Sequence, residues 1–478
     1  MKKYDLIVIG TGSGMNYADA IMDRNPDYKV AVIDKDEPGG ICLTRGCIPS
    51  KLLIYPAELL RTIGTAGRFG IDVEIKSIDF AFVMERMRTL ISKDIDLIRR
   101  GLSKNPGIDY YHDIAAFESP YTLKVGNDII TSKMIFLCTG SRPIIPPVKG
   151  LVESGYLTSD TVLKMEELPA SIAIIGGGYI AAEYGHFFSA MGSRVTVIGR
   201  NPRFLPDEEP EISALAKREM SGYMDILTGY EVLEVIRESD GKRKIIGHDK
   251  KSGKKVSVTA DEILVASGRG PNTDYLKPEK GGIKTDDNGW IDVNEYMETS
   301  QPNIWAFGDA NGRHLFKHVA NYESTVVYQN AILKENIKID YRAVPHAVFS
   351  YPEIAGVGMK EKEAVEKYGE ENVLIGFQLY EDIAKGEAMD VMDYFVKVIV
   401  EKDSSSILGA HIIGPYASIL IHEIIPLMYT PGQSATPIIY GMHIHPALSE
   451  VVERAFQSLM EPADYRHVLD HLHLEPMS

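Results

Sequence analysis

Cysteine is scarce in this sequence: its 478 residues include only three, at positions 42, 47 and 138. So few cysteines exclude a scaffold held together by disulfides. No apolar run reaches the length of a membrane span, and no signal peptide is recognisable at the amino terminus, so we expect a cytoplasmic protein without membrane contacts. Basic residues are outnumbered by acidic ones, and the net charge of −16 argues against a nucleic-acid partner.

A unit of strand, glycine turn and helix occurs twice in the sequence. The first unit spans Tyr4–Gly14 and the second spans Ser171–Ala181. Each is followed by a helical stretch and a second apolar strand, at Val30–Ile33 and Val195–Ile198. Continuous apolar runs bounded by glycine are typical of parallel strands buried on both faces. The pattern predicts two dinucleotide-binding βαβ units in one α/β chain.

The pattern of apolar and polar residues changes near Tyr341. Strand-like runs at Phe395–Val400 and Ser406–Ile413 precede helical runs at Ala417–Met428 and Ala447–Met460. This order predicts a separate α+β domain at the carboxyl end. The chain is also too long for one core, which agrees with two or three domains.

The first unit carries a glycine-rich turn in which Gly10, Gly12 and Gly14 allow a sharp bend and close approach of a pyrophosphate to a helix N-terminus. The third fingerprint glycine is replaced by Met15. Asp34 ends the second strand, where a carboxylate can bond a ribose hydroxyl. The strand and its acid favour nucleotide binding over a simple tight turn.

In the second unit Gly176 and Gly178 hold the corresponding positions. The acid expected at the end of the next strand is missing, and Arg200 and Arg203 follow Gly199 instead. Arginine suits a 2′-phosphate, so the sequence favours NADP(H) over NAD(H). The alternative is that these arginines are only solvated loop charges.

Between the two units, Cys42 and Cys47 lie five positions apart beside Gly39 and Gly40. At the start of a helix both sulfurs can come close enough to bridge, and the helix N-terminus favours the thiolate. No second Cys/His pair at ligand spacing accompanies them, so a redox pair is favoured over a metal site. Two buried, inert thiols are the structural alternative.

A histidine–carboxylate pair follows near the carboxyl end. His445 has the intrinsic pKa of an acid/base group, and Glu450 lies about one helical turn beyond it, where it could orient the ring. Taken alone, this segment fits a satisfied surface histidine equally well. The histidines at 467, 471 and 473 are interpreted as part of a solvated helix, and no metal site is predicted.

Together these segments resemble the flavin-dependent pyridine-nucleotide:disulfide oxidoreductases over almost the whole chain. The most specific matches are Gly39–Lys51 and His443–Glu450. Three shorter stretches are also similar to the family: Cys138–Pro143, which contains Thr139 and Gly140; Ala266–Arg269, which contains Gly268; and Phe307–Asp309, whose aspartate would bind the ribityl chain.

The resemblance implies roles for the site residues. Cys42 would attack the substrate, and Cys47 would contact the flavin ring of FAD. Lys51 would lie near the flavin and pair with Glu183. His445, oriented by Glu450, would reach the disulfide of the other subunit, which implies a homodimer. Cys138 has no role in the family and is expected to be a buried apolar residue.

The resemblance also implies a domain order and a substrate class. We expect an FAD-binding domain at 1–147 and 271–342, an NAD(P)-binding domain at 148–270 and a dimerisation domain at 343–478. Cys47–Lys51 is similar to the dihydrolipoamide dehydrogenase branch, which makes dihydrolipoamide the first candidate substrate and a lipoyl domain of a multienzyme complex a candidate partner.

An NADPH-dependent reductase of a small disulfide, similar to mycothione reductase, is the alternative. Its support is the sequence at Gly10–Gly14, Ile180–Glu183 and Leu315–Asn321. Mercuric reductase is disfavoured, because no cysteine follows Glu450. A flavin transhydrogenase or oxidase that leaves the thiols idle is disfavoured by the intact cysteine pair and by His445.

Overall fold

The first nucleotide unit belongs to a five-stranded parallel sheet in this computed structural model, which describes residues 1–472. In spatial order the strands are Ile304–Ala306, Ile135–Leu137, Leu6–Ile9, Val30–Asp34 and Ile108–His112. Its edge strand, Ile304–Ala306, comes from a later part of the chain. A four-stranded sheet lies beside it, in the order Lys2–Lys3, Asp128–Thr131, Thr122–Val125 and Ala115–Ser119.

The longer helices of this part of the chain are Ala18–Arg24, Gly40–Arg45, Cys47–Thr65, Phe80–Lys104 and Lys317–Ala331. Leu53 and Ala57 are buried on one face of the cysteine-bearing helix, where they belong to the same core cluster as Ala182 of the second unit. Positions four residues apart share a helix face, so this spacing is what attaches the cysteine segment to the second unit.

The second unit forms another five-stranded parallel sheet. Its order is Leu157–Thr158, Glu262–Val265, Ser171–Ile175, Arg194–Gly199 and Asp225–Thr228. An antiparallel sheet of Tyr230–Arg237, Arg243–Asp249 and Lys255–Ala260 follows it, and the longer helices are Tyr179–Met191 and Pro210–Met220. The chain enters and leaves this unit through the antiparallel pair of Ser141–Pro143 with Arg269–Pro271.

The carboxyl-terminal part is a six-stranded antiparallel sheet with helices. Its strands run in the order Pro345–Val348, Ile354–Gly358, Ile407–Ile413, Phe395–Glu401, Val373–Leu379 and Leu459–Met460. Its longer helices are Glu361–Tyr368, Ser449–Gln457 and Pro462–His471. The predicted fold class, two Rossmann-like units followed by an α+β domain, is confirmed.

A buried ionic cluster joins the second unit to this last domain. Lys397 is fully buried, and its ammonium lies 2.6 Å from Glu211 and 2.7 Å from Glu361. Glu209 lies 3.5 Å away, and the Tyr465 hydroxyl donates to Glu211. Because the partners come from both parts of the chain, the cluster fixes their relative position.

Two predicted helical runs are wrong in detail. The run over 417–428 is broken into Ala417–Leu420, a 3-10 turn and Ile425–Met428, because Pro426 has no N–H for a continuous helix. The run over 447–460 is a helix only at Ser449–Gln457, and Leu459 and Met460 pair with Val373–Leu379 as an edge strand.

The carboxyl-terminal histidines are only partly covered by the described residues. His467 and His471 lie on exposed positions of the last helix, and His473 lies outside the described residues. No described helix is long and apolar enough to cross a membrane.

Candidate active site

A cavity of about 880 Å³ opens where the two nucleotide units and the last domain meet. Most of the residues predicted to bind FAD or to act in catalysis line it: Gly10, Gly12, Asp34, Cys42, Cys47, Lys51, Thr139, Gly140, Glu183 and Asp309. Gly14 lies behind this wall, against Val8 and Cys138. The structure therefore brings residues from distant parts of the sequence into one site.

The same backbone contact occurs at the glycine turn of both units. Gly10 has a φ of +105°, and a Cβ on it would lie 2.1 Å from the carbonyl oxygen of Cys138. Gly176 has a φ of +137°, and its Cβ would lie 2.1 Å from the carbonyl oxygen of Ala266. Only glycine fits such positions, so each turn can bring its backbone close to a bound phosphate.

Asp34 organises the loop around the first turn. It accepts hydrogen bonds from the backbone N–H of Thr11 at 2.8 Å and from that of Asp36 at 3.0 Å. The Thr11 hydroxyl in turn accepts a hydrogen bond from the Gly39 N–H at 2.9 Å. Asp34 therefore connects the glycine turn to the segment that leads into the cysteines.

The residues of this cavity fit FAD. The glycine turn provides a close backbone approach, and Asp34 and Asp309 both line the cavity wall. The buried Thr139 hydroxyl has no hydrogen-bond partner within the described residues, and the Asn272 amide donates to the Thr139 carbonyl at 2.9 Å. A buried polar atom left unpaired in a cavity wall indicates a polar ligand.

The two thiols are not equivalent. All three cysteines are free, and Cys42 and Cys47 lie on successive helices that are separated at Gly46. The hydrogen bond from Cys42 lowers the pKa of Cys47 to about 7 against the effect of burial, and the Lys51 ammonium adds to the lowering. The same hydrogen bond, together with burial, raises the pKa of the Cys42 thiol.

Lys51 and Glu183 form an ion pair beside Cys47. The Lys51 ammonium lies 2.7 Å from both carboxylate oxygens of Glu183 and 4.5 Å from the centre of the Phe349 ring. The Phe349 N–H donates to Glu183 at 3.1 Å. The carboxylate thus connects the cysteine helix, the second nucleotide unit and the last domain.

His445 and Glu450 also form a pair. The His445 Nδ1 lies 2.9 Å from Glu450, which accepts a second hydrogen bond from the Ala447 N–H. The hydrogen bond with His445 lowers the pKa of the Glu450 carboxyl. Taken over residues 1–472, the cavity lining includes both thiols but not His445, whose side chain is 68% exposed.

The predicted nicotinamide residues lie at the carboxyl ends of the strands of the second sheet. Gly176 and Gly178 follow Ser171–Ile175, Arg200 is exposed directly after Arg194–Gly199, and Gly268 follows Glu262–Val265. This is the edge at which open parallel sheets bind ligands.

Three side chains of the cavity wall, His346, Tyr179 and Lys317, received no role in the sequence analysis. His346 bonds both carboxylate oxygens of the buried Glu208, at 2.9 and 3.0 Å, and its ring stacks 5.8 Å from that of Tyr179. Lys317 reaches the Ser13 hydroxyl at 2.8 Å. Their contacts join distant segments, so local spacing gave no signal for them.

Comparison with known proteins agrees with this geometry. The family model described as pyridine nucleotide-disulphide oxidoreductase matches residues 4–335, and the model of its dimerisation domain matches residues 344–456. The chain belongs to the pyridine nucleotide-disulphide oxidoreductase family. Membership implies FAD and NAD(P)H as cofactors and a flavoprotein disulfide oxidoreductase activity, which confirms the predicted family.

Several members are similar over nearly their full length. The chain is 38% identical to mycothione reductase of Mycobacterium tuberculosis, covering 96% of this chain and 100% of the relative. It is 34% identical to dihydrolipoyl dehydrogenase of Bacillus subtilis, covering 95% and 97%. The structure of the HOCl-induced flavoprotein disulfide reductase RclA from Escherichia coli superposes with a TM-score of 0.84 at 26% identity, covering 96% and 99%.

Proposed function

We propose that the chain exchanges electrons between NAD(P)(H) and a small disulfide–dithiol pair through Cys42 and Cys47. The observation that carries this proposal is the position of both thiols in the wall of the nucleotide cavity, with the pKa of Cys47 lowered to about 7. Bound FAD would supply the two-electron chemistry that connects a hydride donor to a dithiol.

In the reducing direction, NAD(P)H, one proton and a disulfide RSSR give NAD(P)⁺ and two RSH. The Cys42 thiolate attacks one substrate sulfur and breaks the substrate S–S bond. Cys47 then attacks the mixed disulfide at Cys42, which releases the second substrate thiol and closes the Cys42–Cys47 bond. Each departing thiolate takes up a proton, so an acid is needed near Cys42.

His445 is the proposed acid, and it would act from the partner of a homodimer. In the described part of the chain, residues 1–472, it does not line the cavity, and Glu450 holds its ring by Nδ1. Tyr440, Met442 and Ile444, just before it, are between 78% and 103% exposed. Apolar side chains this exposed support an interface at this loop, in agreement with the match to a dimerisation domain.

Dihydrolipoamide is the first candidate substrate. Its support is the similarity of Cys47–Lys51 to that branch and the full-length relatives named dihydrolipoyl dehydrogenase. A lipoyl domain of a multienzyme complex is the corresponding partner, and the scarcity of cysteine supports a cytoplasmic location.

An NADPH-dependent reductase of another small disulfide is the second candidate. Arg200 is exposed where an acid for a ribose 2′-hydroxyl is expected, and this favours NADP(H). The relative named mycothione reductase also shares more identical positions than the dihydrolipoyl dehydrogenases do.

Both candidates are tested by measuring turnover. In the reducing direction, NADH and NADPH are assayed with lipoamide, other small disulfides and Hg(II). In the oxidising direction, NAD⁺ and NADP⁺ are assayed with dihydrolipoamide. We expect Cys42→Ser and Cys47→Ser each to abolish disulfide turnover, with Thr62→Ser on the exposed face of the same helix as the control. Undiminished turnover in either cysteine variant would refute the proposal and favour a thiol-idle transhydrogenase or oxidase. A wide preference for NAD(H) with lipoamide would refute the role of Arg200.

A further inference from the structure

Arg45 is the only charged residue between the two thiols of the redox pair. It ends the short helix Gly40–Arg45, which also carries Cys42, and Gly46 separates this helix from the one that begins at Cys47. The Arg45 side chain lines the cavity wall and is 22% exposed. The charge therefore belongs to the segment that has to keep the two sulfurs together.

The guanidinium of Arg45 contacts two carboxylates from different parts of the chain. Its Nη2 donates a hydrogen bond to Asp36, in the loop that follows the strand Val30–Asp34. Its Nε lies 3.2 Å from Asp160, which comes just after the strand Leu157–Thr158 of the second sheet. Arg45 therefore ties the redox segment to both nucleotide units.

Glycines flank the helix that Arg45 holds. Gly39 and Gly40 stand at its start with φ of +119° and +71°, and Gly46 follows its end. Glycine has the greatest backbone freedom, so the helix can pivot at both ends unless side-chain contacts hold it. Leu43 holds one face through the apolar core. Among the described residues from 39 to 46, Arg45 alone forms ion pairs.

These ion pairs matter more for the dithiol than for the disulfide. In the disulfide form the S–S bond itself keeps Cys42 beside Cys47. In the dithiol form the position of Cys42 depends on the non-covalent contacts of its helix, and any freedom gained there is lost again when the bond closes. Contacts that limit this freedom lower the entropic cost of closing the bond.

We propose that Arg45 is a positioning residue that holds the Cys42 helix in place and thereby favours the disulfide form of the redox pair. Its role rests on the proposed function of Cys42 and Cys47 as an exchanging pair. The equilibrium that measures it is the reaction of the enzyme dithiol with oxidised dithiothreitol, which gives the Cys42–Cys47 disulfide and reduced dithiothreitol. Two electrons and two protons pass from the protein to the reagent.

The test uses the FAD-loaded enzyme, equilibrated without oxygen in buffers with stepped ratios of oxidised to reduced dithiothreitol. Acid quenching, alkylation and mass spectrometry of the cysteine peptides give the fraction of disulfide. We expect Arg45→Met to shift the equilibrium about threefold to tenfold towards the dithiol, since two partly exposed ion pairs are lost. This shift corresponds to a rise of about 15–30 mV in the reduction potential.

Arg99→Met is the matched control. Arg99 also contacts two carboxylates, those of Glu37 and Asp96, but it lies on the helix Phe80–Lys104, outside the redox segment. Its loss should leave the equilibrium unchanged. Arg45→Lys keeps the charge and should recover part of the shift.

Asp160→Asn separates the ion pair from the bulk of the side chain, because Arg45 stays in place. We expect a shift in the same direction, and the double variant with Arg45→Met should shift no further than Arg45→Met alone. An unchanged equilibrium in Arg45→Met, or shifts that simply add, would overturn the proposal. If Arg45→Met does not fold, Arg45→Gln is measured in its place.

This measurement needs no nicotinamide, so it separates the two proposals. If the unmodified enzyme forms no Cys42–Cys47 disulfide at any ratio of the reagent, the proposed function fails, and the role of Arg45 fails with it. If the unmodified enzyme forms the bond and Arg45→Met leaves the equilibrium unchanged, only the role of Arg45 fails.

Discussion

Replacing Cys42 by alanine tests whether the hydrogen bond between the two thiols makes Cys47 acidic. Alanine cannot donate, whereas serine in the same place keeps a donor. This hydrogen bond lowers the pKa of Cys47 the most. Burial raises that pKa, and the Lys51 ammonium lowers it further. We therefore expect Cys42→Ala to raise the pKa of Cys47 and Cys42→Ser to leave it low.

The expected change is large enough to measure. The pKa of Cys47 is lowered from 9.0 to about 7, and two units correspond to about 2.7 kcal/mol. Near pH 7.5, a pKa of about 7 leaves roughly three quarters of the sulfur as thiolate, and a pKa near 9 would leave only about 3%. Because Lys51 remains in the variant, the loss of thiolate should lie between these limits.

Ultraviolet absorbance of the thiolate, recorded across pH, gives the midpoint directly. The variant that lacks both sulfurs, Cys42→Ala with Cys47→Ser, supplies the baseline for subtraction. If Cys42→Ala and Cys42→Ser titrate at the same midpoint, the hydrogen bond is not the cause. The acidity of Cys47 would then have to come from Lys51 or from the helix N-terminus.

Two further predictions concern stability. Gly10→Ala should reduce both FAD retention and the melting temperature, because the added Cβ would meet the Cys138 carbonyl oxygen. Gly64→Ala has open space around the added Cβ and should stabilise its helix by about 0.5–1 kcal/mol. Lys397→Met should cost about 3–5 kcal/mol in urea denaturation, since it leaves buried carboxylates unpaired. Lys402→Met, which breaks an exposed ion pair, should cost at most about 1 kcal/mol. Equal losses in either matched pair would contradict these assignments.

The parts of the fold that depend on contiguous residues could be predicted from the sequence. Both βαβ units follow from apolar strands bounded by glycine, and the structure has these strands at Leu6–Ile9 and Ser171–Ile175. The pattern did not reveal which backbone atoms would clash with a side chain at the glycine positions. The carbonyl oxygens of Cys138 and Ala266 belong to the residues that directly follow neighbouring strands, and these strands come much later in the sequence.

Contacts between distant segments were beyond sequence reasoning. The short strand Leu459–Met460 exists because Val373–Leu379 offers it an edge, and this partner overrides the helical pattern of the run. The same limit applies to the cavity wall. Lys317 lies in the segment Leu315–Asn321, for which the sequence offered only a resemblance, and its hydrogen bond to Ser13, 304 positions away, could not be predicted from local spacing.

The asymmetry of the two thiols supports their separate roles without reference to relatives. A thiol of low pKa is the better leaving group, and a thiolate of higher pKa is the stronger nucleophile. When a substrate thiolate attacks the Cys42–Cys47 bond, expulsion of Cys47 is therefore favoured, which directs the attack to the Cys42 sulfur. In the reverse direction Cys42 attacks more strongly once it is deprotonated, but its raised pKa makes a base necessary. The proposed role of His445 as the acid/base group answers this need.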